Sequence, residues 1–115
     1  MVTMMVSDAP SYDLDDVRKA AKAGRVQYHG RRVSVDTAEL GYQLDDVIRC
    51  LLSLAGSEYR KTHRYPESNL TFDEYLTRFP RPGSDDEVDS LYVKFALING
   101  QLTIQLASFH LPRYG

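Results

Sequence analysis

The chain has 115 residues, 43% hydrophobic and 26% charged, and carries a net charge of -2 with a pI near 5.9. That length suits one domain with its own hydrophobic core and not two, and the acidic balance excludes a globally basic nucleic-acid binder, so any phosphate-binding function must rest on a local patch. No apolar run approaches the roughly 20 residues of a membrane span, and the single cysteine, Cys50, excludes an intramolecular disulfide and a cysteine-rich zinc site.

The opening "MVTMMVSDAPSYD" lacks a basic n-region and is short for a secretory leader. A cytoplasmic protein is expected, with a flexible arm over 1–12 and a single domain over 13–115. Asp13 is placed to cap a helix from about Leu14 to Ala23, with Asp15 and Asp16 in its first turn, Leu14, Val17 and Ala21 on one face, and Gly24 as its stop. "RVQYHGRRVSV" then sets Val26, Tyr28, Val33 and Val35 around a turn at His29 and Gly30, a weak strand or hairpin pattern. Asp36 is expected to cap one helical turn ending near Gly41. Leu44, Val47, Ile48, Leu51 and Ala55 follow at helical spacing, with Gly56 as the terminator. Cys50 falls within this apolar pattern and reads as a packing residue.

"SEYRKTHRYPES" reads as a strand with Lys61, His63 and Tyr65 on one side and Arg60, Thr62 and Arg64 on the other. In "LTFDEYLTRF", Thr71 and Glu74 match a capping box, and Phe72, Tyr75, Leu76 and Phe79 fall at i, i+3, i+4 and i+7, which favours a helix. "PRPGSDDEVD" is a loop by composition, its acids solvated. The final stretch, "SLYVKFALINGQLTIQLASFH", reads as a hairpin, because Asn-Gly suits the two positive-φ positions of a type I′ turn. A two-residue turn would oppose Leu97 to Leu102, Phe95 to Ile104, Val93 to Leu106 and Tyr92 to Ala107. Apolar parity switches at Ala107, Phe109 and Leu111, however, as a β-bulge would produce, and a bulge could return His110 to the Tyr92 face. Early helices and a late hairpin predict an α+β fold, with helices packed on one face of an antiparallel sheet and the other face left for function.

The three histidines, His29, His63 and His110, are scattered, and no HExxH, calcium loop, phosphate loop or nucleophile elbow is present. Neither a metal nor a cofactor is expected. What remains is a basic and aromatic cluster, Tyr59 to Tyr65, with Tyr92 and Lys94 on the hairpin's polar face. RNA cleavage without metal needs a base for the 2′-hydroxyl, an acid for the 5′-oxygen and cations for the phosphorane charge, and Lys, Arg, His and Tyr cover all three. Aromatics beside cations also suit stacked single-stranded bases. A solvated sheet face with no chemistry has the same composition.

"AGRVQ" (23–27), "AELGY" (38–42), the apolar helix to Leu54, "YRKT" (59–62) and "LYVKFALINGQLTIQLASF" (91–109), in this order, resemble the MqsR family of toxins from bacterial toxin-antitoxin pairs. The likeness covers most of residues 13–110, as a distant member. It implies a small RelE-like domain, a metal-independent endoribonuclease that cuts mRNA, and a cognate antitoxin protein that neutralises it. By position, the family's lysine of "YKS" corresponds to Lys61 and its tyrosine of "VYLK" to Tyr92. Its glutamine of "WQDVY" is replaced here by Asp73, and its lysine of "SFK" by Ala107 or, with a three-residue shift, by His110. The acidic pI, the longer segment at 77–89 and the helical pattern at 71–79 are further departures. The resemblance and the cluster together make Lys61, Tyr92, His63 and His110 the expected catalytic residues, and Arg60, Arg64, Lys94 and Gln105 the expected substrate contacts. The alternative is a non-catalytic binding module on the same fold.

Overall fold

The computed structural model describes residues 5–7 and 9–112. Helix α1 (Leu14–Lys22) starts where Asp13 accepts a hydrogen bond from the Asp15 N–H, and Gly24 follows it at φ +72°. Strand β2 (Val26–Tyr28) leads into α2 (Arg31–Leu40), so Val33 and Val35 are helical and the hairpin pattern expected there is corrected. Val33, Asp36 and Thr37 form its buried stripe, which places Asp36 inside the helix and not at its cap; Gly41 ends it in the left-handed conformation. Helix α3 (Leu44–Leu52) stops at Ser53, ahead of the expected Gly56, which instead opens a 3-10 turn at Gly56–Glu58.

The remaining strands are β1 (Met5–Ser7), β3 (Tyr59–Arg64), β4 (Thr71–Pro80), β5 (Val88–Ile98) and β6 (Thr103–His110). They form a six-stranded sheet in the order β1-β3-β4-β5-β6-β2, in which β2 runs parallel to β6 and the other pairs are antiparallel. Part of the segment expected as a loose arm is thus tied down: β1 pairs with Thr62–Arg64, and the Ser11 and Tyr12 N–H groups donate to the Asp73 carboxylate. No helix among the described residues is long and apolar enough to cross a membrane.

The segment 71–79, expected as a helix, belongs to β4, the sheet's fourth strand in sequence, which lies between β3 and β5. Its apolar residues divide between the two faces: Tyr75 enters the core, while Phe72 and Leu76 have the opposite parity. The core joins Val17, Ala20 and Ala21 of α1, Val33 of α2, and Val47, Cys50 and Leu51 of α3 to Leu91, Val93, Phe95, Ile104, Leu106 and Phe109 of the hairpin. All three helices therefore cover one face of the sheet, and the fold is the α+β arrangement expected. The charged loop is partly structural: Asp89, 4% exposed, lies in β5, where it accepts hydrogen bonds from Arg81 Nη2 at 2.7 Å and the Tyr42 hydroxyl at 2.9 Å.

The hairpin exists but not with the two-residue register. Asn99, Gly100 and Gln101 all have positive φ, Leu102 N–H donates to Ile98 O at 3.1 Å, and Ile98 pairs with Thr103. Leu102, expected inside, is 60% exposed. Lengthening the turn by two residues preserves parity, so Ile104 and Leu106 still point inward, now opposite Leu97 and Phe95. Between Lys94 and Phe95 the register then shifts once more, because Ala107 is an extra residue on β6. Beyond that bulge Lys94 faces Ser108, Val93 faces Phe109 and Tyr92 faces His110.

Candidate functional site

The sheet face opposite the helices carries cross-strand rows set by this register. One row runs from Lys61 through Glu74 and Lys94 to Ser108, and the next from Leu76 through Tyr92 to His110. Directly opposed residues in an antiparallel pair share a face with side chains about 5 Å apart, so the rows form one continuous patch. Arg60 joins them because β3 itself has a register shift between Tyr59 and Lys61. The sides of a groove of about 320 Å³ are Arg60, Lys61, Glu74, Tyr92, Lys94, Ser108 and His110. Arg60, Lys61 and Lys94 set three cations there against the Glu74 carboxylate, a local positive balance on a chain whose net charge is -2.

The Tyr92 and His110 rings lie 5.9 Å apart, centroid to centroid. His110 Nδ1 is 2.7 Å from the Leu111 carbonyl oxygen, which can only accept. Nδ1 therefore carries the proton, and in the neutral ring Nε2 keeps a lone pair for acid-base work. Lys94 Nζ donates to the Tyr65 hydroxyl at 3.1 Å and stands 5.5 Å from that ring's centroid, which fixes the long side chain along the groove.

Five of the eight sequence-predicted residues thus meet in one groove: Lys61, Tyr92, His110, Arg60 and Lys94. The other three do not line it. His63 shares the parity of Lys61 but is only 6% exposed, with Nε2 2.8 Å from Glu74 Oε1, so it holds Glu74 from a diagonal position on the neighbouring strand. Arg64 sits at the far end of β3, opposite Thr71 and Met5, on the other parity. Gln105 lies nearer β2, where its Nε2 donates to His29 Nδ1 at 2.7 Å.

Asp73, which would repel a phosphate if it faced the groove, is fully buried on the opposite parity. It accepts from the Thr62 hydroxyl at 2.7 Å and from the Ser11 and Tyr12 N–H groups at 3.0 Å, a structural clasp for the N-terminal segment. The anion that does face the groove is Glu74, missed when residues 71–79 are read as a helix. Counting the segment as a strand would have placed it between Lys61 and Lys94. Cys50 is a core residue: burial, with a smaller contribution from the Glu58 charge, pushes its thiol up to about 12, so it stays protonated and inert. Among the described residues no group of three or more His, Cys, Asp or Glu side chains is arranged to hold a metal ion. The chain matches no protein-family model and no curated protein.

Proposed function

We propose that this groove binds single-stranded RNA and cleaves it by metal-independent transesterification, and that the protein is a toxin-like mRNA endonuclease of the cytoplasm, neutralised by a cognate antitoxin. The observation that carries the reading is the β6 bulge, which sets His110 opposite Tyr92 beside Lys61 and Lys94. The 2′-hydroxyl attacks the neighbouring phosphorus while His110 Nε2 takes its proton. Lys61, Lys94 and Arg60 hold the charge that builds on the non-bridging oxygens. The P–O5′ bond breaks, the Tyr92 hydroxyl gives its proton to the departing 5′-oxygen, and the products are a 2′,3′-cyclic phosphate and a 5′-hydroxyl end. Solvent then carries the proton from His110 back to Tyr92. The antitoxin rests on the family resemblance of the sequence.

A second reading, an RNA- or protein-binding module without catalysis, is favoured by Glu74, whose carboxylate lies in the same cross-strand row as both lysines and competes with phosphate for them. Purified protein incubated with RNA in EDTA decides between them. Cleavage to cyclic-phosphate ends is the expected result; intact RNA that nonetheless binds would establish the second reading and overturn the first.

A further inference from the structure

Next to the groove, on the same face, a second concavity of about 300 Å³ is bounded by His29, Tyr65, Phe72 and Lys94, with Glu67, Ser68 and Ala107 at its margin. Lys94 lines both this cavity and the groove. On the reading of the groove as an RNA site, we infer that this cavity is a nucleobase seat, taking the base of the nucleotide whose phosphate Lys94 holds.

Three rings from three separate strand ends converge here. Phe72 lies 5.7 Å from His29 and 6.1 Å from Tyr65, with the planes inclined at 51° and 62°. Rings inclined in this way form walls instead of stacking flat on one another, and an aromatic face is what an unpaired base requires. Each wall is braced from behind. Tyr65 stacks on the buried His63 ring at 6.2 Å and 10°, and Lys94 Nζ donates to its hydroxyl. His29 Nδ1 is held by the Gln105 side-chain amide at 2.7 Å. Phe72 is 4% exposed and forms the floor. Bracing of this kind lowers the ordering cost of binding. Glu67 and Ser68 add acceptors suited to the N–H edge of a base.

The cavity is shaped for a flat aromatic ring tethered to an anion. The anion's place is Lys94 on the common border, and a single-stranded nucleotide has this pairing of base and phosphate at every step. Gln105 and His63, which line neither concavity's chemistry directly, then act as positioning residues for the seat.

The test compares binding of a 2′-O-methyl oligoribonucleotide of mixed sequence, which cannot be cleaved, with binding of a wholly abasic oligomer of the same length. The variants are His29→Ala, at an exposed position, and Tyr65→Leu. The base-bearing oligomer is expected to bind the native protein about tenfold or more tightly than the abasic one, given the usual contribution of a stacked base. His29→Ala is expected to erase most of that difference while leaving abasic binding within about twofold, whereas Tyr65→Leu, which also frees Lys94, is expected to weaken both oligomers but the base-bearing one several-fold more. Variants that weaken both oligomers equally, or neither, overturn the seat while leaving the nuclease reading intact if the native protein still cuts RNA. A native protein that cuts no RNA but keeps the base-dependent advantage, lost in the variants, sustains the seat and overturns the nuclease. Absence of binding to both oligomers overturns the seat, and overturns the nuclease as well when RNA in EDTA also stays intact.

Discussion

The position of His110 depends on a competition between two registers of β6 that can be worked from the residues involved. Without the bulge, Ser108 would turn inward and Phe109, now fully buried against Tyr42 at 5.1 Å, would face water. Exposing a phenylalanine costs about 1.5–3 kcal/mol, and burying an unpartnered hydroxyl about 1–3 more. The bulge disturbs one step of the ladder, worth about 1 kcal/mol net, so the bulged register wins by several kcal/mol. Two variants probe this. Deleting Ala107 removes the extra residue and should leave Ser108 opposite Lys94 and His110 opposite Tyr92, with melting temperature within about 5 °C of the native protein's. The double exchange Ser108→Phe with Phe109→Ser reverses the terms, favours the unbulged register and turns His110 toward the helices. The assay is the nuclear Overhauser contact between the Tyr92 and His110 rings, which native spacing allows: it should persist in the deletion and vanish in the exchange, with RNA cleavage following it. A deletion that loses the contact, or an exchange that keeps it, refutes the reasoning.

Lys61→Ala and Tyr92→Phe should each reduce RNA cleavage about a hundredfold or more with unchanged melting, and should abolish growth inhibition on induced expression in bacteria; fully toxic variants would remove these residues from the chemistry. Asp73→Ala leaves the Thr62 hydroxyl and the Ser11 and Tyr12 N–H groups without their shared acceptor. Urea unfolding should show a loss of about 3 kcal/mol or more, while RNA affinity stays at the native level because the carboxylate lies on the opposite face. Burial pushes Cys50 up to about 12, and burial followed by the Asp73 charge does the same to Tyr75. Above pH 9 the unfolded chain releases these protons before the folded one, so the folded state binds more protons and stability must fall as pH rises from about 9 to 12. The urea midpoint, followed across that window, should decline steadily; Cys50→Ala should blunt the early part of the decline, and a flat profile in the native protein would contradict it.

The strand pattern of β5 was legible because Leu91, Val93, Phe95 and Leu97 alternate cleanly and share the buried face. The face of Lys61 followed from strand parity alone, since Thr62 and His63 on opposite parities are both buried. The α1 boundaries followed from Asp13 and Gly24, whose effects are local. Strand β4 was not legible, since an internal strand of this sheet has apolar residues on both faces and its Phe72, Tyr75, Leu76 and Phe79 coincide with a helical period. Helix α2 was hidden in the reverse sense: Val33 and Val35 alternate locally, while the stripe that decides it, Val33 with Asp36 and Thr37, includes polar residues buried by their surroundings.

The candidate site divides along the same line. Asn99 and Gly100 mark a turn by their own conformational tolerance, and the parity switch at Ala107 announces a bulge, so a hairpin of β5 and β6 with one wet face follows from local residues alone. How many residues the turn takes, and therefore which residue stands across from Tyr92, was decided only when Leu97, Ile104 and Phe109 packed against the helices. Turn residues act through their own φ and ψ, whereas register is set by the burial of side chains on a core that no local window contains. The sheet also turned Asp73 inward and brought Glu74 between the lysines, because in a strand adjacent residues face opposite sides.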